Sequence, residues 1–125
     1  MADADFQRIL HIKKYCRRIA NSIERYGHNY NIFIADDDYF DSVSMKIMQI
    51  GELAGGLSDE FKDSTKDRIP WGMIRGMRNL FAHTYATMDK EIIWDVATND
   101  IPYLLAFCTK YINEYNKNNQ DIGDK

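Results

Sequence analysis

The chain has 125 residues, 45% of them apolar and 28% charged, with a formal net charge of −3 at pH 7. That length suits a single domain with one core, and the net acidity excludes a protein that holds nucleic acid by bulk charge, so any such binding needs a local patch. No run approaches the roughly 18 apolar residues of a membrane span, and the start M-A-D-A-D-F-Q lacks the basic-then-apolar layout of a signal peptide, so a cytoplasmic protein with no membrane association is expected.

With two prolines and seven glycines the chain reads as helical, not as a turn-rich β fold. Residues 5–27 form the first predicted helix. Ile9, Ile12, Cys16, Ile19, Ile23 and Tyr26 recur by three and four along one seam, Arg17, Arg18, Glu24 and Arg25 fall off it as solvated charges, and Gly27 is the stop. Residues 28–38 read as a connector whose I-F-I tucks against the core. Asp36, Asp37, Asp38 and Asp41 do not match a calcium loop, because the sixth and twelfth positions from Asp36 are Asp41 and Ile47, where glycine and an acid are needed. They are expected to form a charged loop leading to a cap at Asp41 or Ser42.

The second helix is predicted over Val43–Leu57, with Val43, Ile47, Ile50, Ala54 and Leu57 facing the core. Ser44, Met48, Gly51 and Gly55 form an adjacent face of little bulk, open to close helix approach. Glu52, among these glycines, is either simply exposed or positioned to steer a cationic site residue. Residues 58–69 read as a polar loop with a helical turn at Asp59–Lys62.

Pro70 opens the next predicted helix, which frays near Thr84 and Tyr85. Ile74, Met77 and Phe81 form its apolar stripe, while Arg75, Arg78, Asn79 and His83 form a polar, cationic one. Asp89 is the expected N-cap of a last helix with Glu91 in its first turn. Its apolar face runs through Ile93, Val96, Ala97, Ile101, Leu104, Cys108, Tyr111 and Tyr115, with a kink or an Asn99- or Asp100-capped restart at Pro102. Residues 116–125 read as a polar, disordered tail. The expected fold is therefore all-α, an up-and-down bundle of four principal helices with a kinked last helix, one domain over residues 1–115. Cys16 and Cys108 sit on apolar stripes as buried thiols; His11, His28 and His83 form no close ligand pair, so no metal or cofactor is expected.

An arginine beside a histidine suits RNA cleavage without metal. A ribose 2′-hydroxyl attacks the adjacent phosphate, the arginine stabilises the growing negative charge, and the imidazole exchanges protons near neutrality. On an ideal helix Arg78 and His83 point about 140° apart, so they converge only if the helix loosens near His83, whereas Asn79 and His83 are direct neighbours. Spacing alone leaves a structural arginine–histidine pair open, and leaves Tyr85 open as a core aromatic.

The run R-N-L-F-A-H-T-Y at 78–85 resembles the Arg-x-x-x-x-His-x-Tyr motif of the HepT-like toxins, within the HEPN superfamily of small helical ribonucleases. Further landmarks of the resemblance are I-G-E-L-A at 50–54, L-S-D-E at 57–60, I-P-W at 69–71, M-D-K-E-I-I-W at 88–94 and N-D-I-P at 99–102. They span roughly residues 40 to 107; the first helix matches only in pattern. The resemblance implies a HEPN-like bundle working as a homodimer, with two motifs facing each other across a cleft between subunits. It implies a metal-independent endoribonuclease with Arg78 and His83 catalytic; Asn79 fits the same motif, while Arg75 and Glu52 are supporting candidates by their positions on the helix faces. It further implies a MntA-like nucleotidyltransferase antitoxin that attaches AMP to Tyr85, placing bulk and negative charge beside Arg78 and His83. The RNA phosphate would be drawn by Lys66, Arg68, Arg75 and Arg78 from both subunits. The alternative is a non-catalytic nucleotide- or partner-binding subunit of a nucleotidyltransferase complex.

Overall fold

The computed structural model describes residues 3–77 and 90–123, with only the backbone described for 120–123. The first helix, α1 (Ala4–Arg25), starts where the Asp3 carboxylate accepts the Phe6 N–H at 2.7 Å. Ile9, Ile12, Cys16, Ile19 and Ile23 are all buried, as the seam predicts. Past the C-cap Tyr26, Gly27 takes φ +85°, its N–H meets the Glu24 carbonyl at 3.2 Å, and the His28 N–H meets the Ile23 carbonyl at 2.9 Å. These are the two bonds of a Schellman stop, which needs a left-handed residue where Gly27 stands.

The expected connector is instead a helical turn, α2 (Tyr30–Ala35), capped by the Asn29 side chain on the Ile32 N–H at 3.1 Å. Of its I-F-I only Phe33 is fully buried, against Tyr39, Phe40 and Trp94. Helix α3 (Asp37–Gly55) begins six residues before the predicted Val43, and its cap is Asp36, accepting from the Tyr39 N–H at 3.0 Å, not Asp41 or Ser42. Asp37 and Asp38 thus occupy a first turn, where the helix dipole favours negative charge. The aspartate run is a helix start, and it allows Tyr39 and Phe40 to be buried one turn earlier.

The helical turn expected at Asp59–Lys62 is present and runs on as α4 (Asp59–Thr65), behind a Ser58 cap whose hydroxyl accepts the Phe61 N–H at 3.1 Å. Asp5 of α1 receives the Ser58 N–H at 2.8 Å and the Ser58 hydroxyl at 2.6 Å, tying the start of α1 to the start of α4. Helix α5 (Trp71–Gly76) follows from Pro70, and its description ends at Met77. The remainder of that predicted helix, including Phe81, lies outside the described residues, as does the predicted cap Asp89.

The last helix is continuous at Pro102. It runs as α6 (Lys90–Asp95), a π-helical turn (Val96–Asp100) and α7 (Ile101–Gly123). The Ile101 N–H bonds to the Val96 carbonyl, and Asp95 and Ile101 both keep right-handed helical backbone, so the helix does not restart at Asn99 or Asp100. Proline lacks the N–H that would bond the carbonyl four residues back and crowds that carbonyl; one widened turn just before it takes up the mismatch without breaking the helix. Helical backbone also extends to Gly123, past the expected boundary at Tyr115, although Asn116–Asn119 are exposed.

α1 packs against both α3 and α7, and the end contacts fix the directions. Phe6 stacks on Tyr115 at 3.8 Å and Tyr26 on Tyr39 at 4.1 Å, so α1 runs antiparallel to each neighbour. Lys90 ties α6 to the α2–α3 corner, donating to the Ile34 carbonyl at 2.9 Å with its ammonium 4.8 Å from the Phe40 ring centre. Cys16 and Cys108 meet within this core; burial pushes both thiols up, Cys108 to about 12, which makes them inert hydrophobes. The fold is an all-α helical bundle, and every regular element among the described residues is helical.

Candidate functional site

The start of α5 is held by a corner whose polar groups are almost all satisfied. Thr65, buried at the end of α4, donates its hydroxyl to the Phe61 carbonyl at 2.8 Å and accepts the Trp71 indole N–H at 2.7 Å. The Thr65 carbonyl accepts the Arg68 and Ile69 N–H groups at 2.9 and 3.1 Å. From α7, Tyr103 donates its hydroxyl to the Arg68 carbonyl at 2.8 Å, and the Arg68 guanidinium lies 5.3 Å from the Phe107 ring centre. Trp71, Ile74 and Met77 are buried at spacings of three. The described length of α5 is thus oriented from both sides, with one face in the core.

Arg75 is exposed on the α3 side of α5. Its Cγ, Nε and Cδ lie 3.6, 3.6 and 3.7 Å from where a Cβ on Gly55 would stand, so the small face of α3 admits the arginine stem. Glu52 is exposed one turn earlier on α3 and lines a cleft with His11, Tyr15, Gln49 and Leu53. Arg75 and Glu52 therefore belong to one edge, where α3 and α5 meet. Lys66 is exposed after α4, but Arg68 lies against Phe107 of α7, on the opposite side of α5 from Arg75. Of the cations expected to draw phosphate, Arg68 and Arg75 thus lie on different sides within one chain. Arg78, Asn79, His83 and Tyr85 lie outside the described residues. Among the described residues no group of three or more His, Cys, Asp or Glu side chains is placed to hold a metal ion, and no helix is long and apolar enough to cross a membrane.

One polar cleft escapes a reading by motif. Tyr15 and Arg18 of α1 face Ser42, Met45, Lys46 and Gln49 of α3 across an open cleft of about 430 Å³. Lys46 donates to the Ser42 hydroxyl and, at 3.3 Å, to the Ser42 carbonyl. Burial first, and the Arg18 charge second, lower its pKa from the ordinary lysine value.

An all-α bundle in which a tightly cornered helix leads into an arginine–histidine–tyrosine stretch fits a small helical ribonuclease. The model of the family "Ribonuclease HepT-like" matches residues 12–111, and the chain belongs to this family. Among curated proteins it is 32% identical over 113 residues to a Methanocaldococcus jannaschii protein named as a gamma-glutamylcyclotransferase and candidate RNase; the match covers 86% of this chain and 50% of that protein. The chain thus spans about half the length of that relative. It is 28% identical over 94 residues to a candidate RNase of Caldanaerobacter subterraneus subsp. tengcongensis, covering 75% of this chain and 81% of the other. A second M. jannaschii candidate RNase is 25% identical over 79 residues, covering 56% and 72%. No solved structure gives a significant match.

Proposed function

We propose that the chain is a metal-independent endoribonuclease acting as the toxin of a toxin–antitoxin pair. The observation that carries this reading is the R-x-x-x-x-H-x-Y run at 78–85 inside the span matched by the HepT-like family. The 2′-oxygen bonds to phosphorus as the bond to the 5′-oxygen breaks, leaving a cyclic phosphate on one product and a 5′-hydroxyl on the other. One group takes the 2′-proton and another gives a proton to the leaving oxygen. A single motif offers one imidazole, so a homodimer that apposes two copies of His83 supplies both roles from identical chains. Arg78 steadies the charge on the phosphorane through its two-pronged donor geometry. Arg75 and Asn79 position the phosphate and the imidazole, and Glu52, on the edge it shares with Arg75, orients the cationic groups.

Control falls on Tyr85 in this reading. A MntA-like nucleotidyltransferase antitoxin transfers AMP from ATP to its hydroxyl, the tyrosyl oxygen bonding the α-phosphorus as pyrophosphate leaves and the phenolic proton is lost, and the adduct competes with RNA phosphate for Arg78.

The test is cleavage of single-stranded RNA by the purified chain in excess chelator, with product ends mapped. Cyclic or 3′-phosphate ends, lost in His83→Ala, are expected. Activity that returns only with added magnesium refutes the mechanism. RNA left intact by a well-folded dimer refutes the enzyme reading and favours the binding-subunit alternative.

A further inference from the structure

α1 carries Arg8, Lys13, Lys14, Arg17, Arg18 and Arg25 against Asp5 and Glu24, a net +4 within a chain whose total is −3. Lys14, Arg17 and Arg18 are exposed, opposite the buried seam, and Lys14 and Arg18 are neighbours at i and i+4. No ion pair among the described residues joins any of them, or Lys46, to a carboxylate. The cleft that Arg18 and Lys46 share continues into a second, of about 310 Å³, through Tyr15 and Gln49, which line both. Asp41 lines the first cleft and Glu52 the second, matching Arg18 and Lys46, so the positive surplus along the groove comes from Lys14, exposed one turn before Arg18. The groove ends at Glu52 and Leu53, within one turn of Gly55, where Arg75 of α5 packs. From Lys46 to Gly55 is about 14 Å of helix, the length of roughly four stacked nucleotides.

We propose that this α1/α3 groove is a docking track for single-stranded RNA flanking the cleaved phosphate, with Lys14, Arg18 and Lys46 holding phosphates and Tyr15 offering its ring to a base. The proposal rests on the ribonuclease reading and adds to it a binding surface outside the Arg–His–Tyr stretch. The sign of the charge selects the occupant. An acidic chain attracts a polyanion only where its cations cluster, and the half-buried tyrosine between them matches the pairing of cation and aromatic that single strands favour. Burial first, and the Arg18 charge second, disfavour the charged Lys46 ammonium, and a phosphate beside it would favour it.

The test uses full-length protein carrying Lys14→Gln, Arg18→Gln and Lys46→Gln together, with its circular dichroism and melting checked against wild type. Binding of a labelled single-stranded RNA of about 20 nucleotides is followed by anisotropy in a His83→Ala background, across salt concentrations. Removing three phosphate contacts should lower the salt slope by about 2 and, at 0.1 M salt, weaken binding on the order of 100-fold. With His83 restored, turnover of a trinucleotide holding one scissile bond should stay unchanged, because so short a substrate does not reach the groove. Unchanged affinity and slope on the long RNA overturn the track. Loss of an acidic protein partner with RNA binding intact overturns it too, reassigning the groove. A wild-type chain that neither binds nor cuts RNA is a separate result, which removes the ribonuclease reading itself.

Discussion

Replacing Thr65 with valine keeps nearly the same shape and removes one hydroxyl from the α4–α5 corner. That hydroxyl serves two partners, the Phe61 carbonyl and the Trp71 indole N–H. The carbonyl keeps another donor, since the Ser64 hydroxyl bonds it at 2.9 Å. The indole has no such reserve: Trp71 is buried, its ring packed against Phe61 and Phe107. The cost is therefore concentrated on one unsatisfied buried donor, about 1–3 kcal/mol, reduced by roughly 0.8 kcal/mol for the extra methyl that valine buries. A net loss of about 0.2–2.2 kcal/mol is expected in urea unfolding followed by far-ultraviolet circular dichroism. A double-mutant cycle isolates the bond, because in a Trp71→Phe background the same substitution should cost nothing or stabilise slightly. Equal losses in both backgrounds would refute the assignment of the energy to the indole–threonine bond. The same bond anchors Trp71 and so helps to set the direction in which α5 leaves the corner.

Asp5→Ala should cost about 1 kcal/mol, because Ser58 loses two acceptor contacts while its cap on Phe61 remains; the same unfolding assay checks it, and a neutral effect would mean that the exposed bonds are replaced by water. Asp100 has its pKa raised from 3.8, by burial first and by Asp95 second, so its folded form holds a proton more tightly than the unfolded chain. The associated stability is complete below the unfolded value and is lost as pH rises through the folded one; Asp100→Asn should therefore stabilise at pH 7 and lose that advantage in acid, as melting against pH would reveal. Tyr85→Phe should stay folded and cut RNA at near wild-type rate yet resist the antitoxin; mass spectrometry after co-expression with the antitoxin and ATP should find the AMP mass on Tyr85 in wild type, and neutralisation of the phenylalanine variant would refute control through this hydroxyl.

The long helices are legible in the sequence because each has enough turns for its apolar period to be read. Ile9 to Ile23 in α1 and Val43 to Ala54 in α3 are buried as that period requires. The short helices are less so, for a physical reason. α2 and α4 span six and seven residues, too few for a stripe, and each depends on one side-chain cap and one buried phenylalanine: Asn29 with Phe33, Ser58 with Phe61. The aspartate run hid the start of α3 because charge reads as solvated loop, although a capping carboxylate followed by acids in the first turn is what a helix N-terminus favours. Pro102 signalled a disturbance without its form, since a break and a widened turn both remove the missing N–H from the ladder.

The catalytic candidates come from the resemblance of the 78–85 run, since spacing alone left a structural pair open, and spacing does not decide which cations can serve them either. Lys66, Arg68 and Arg75 lie within ten positions of one another, yet Arg68 faces α7 and Arg75 faces α3. Net charge misleads in the same way, because it sums over faces that an incoming polyanion meets separately. At physiological salt the screening length is about 8 Å, far shorter than the roughly 33 Å length of a helix like α1. A strand of RNA near Lys14 and Arg18 therefore responds chiefly to the charges lining that groove and little to acids at the far ends of the bundle. Within the two clefts Arg18 and Lys46 are matched by Asp41 and Glu52, and the surplus of positive charge comes from Lys14, exposed one turn before Arg18. An acidic protein can thus present a polyanion track, provided its surplus cations from neighbouring helices meet at one groove and its acids keep to the edges.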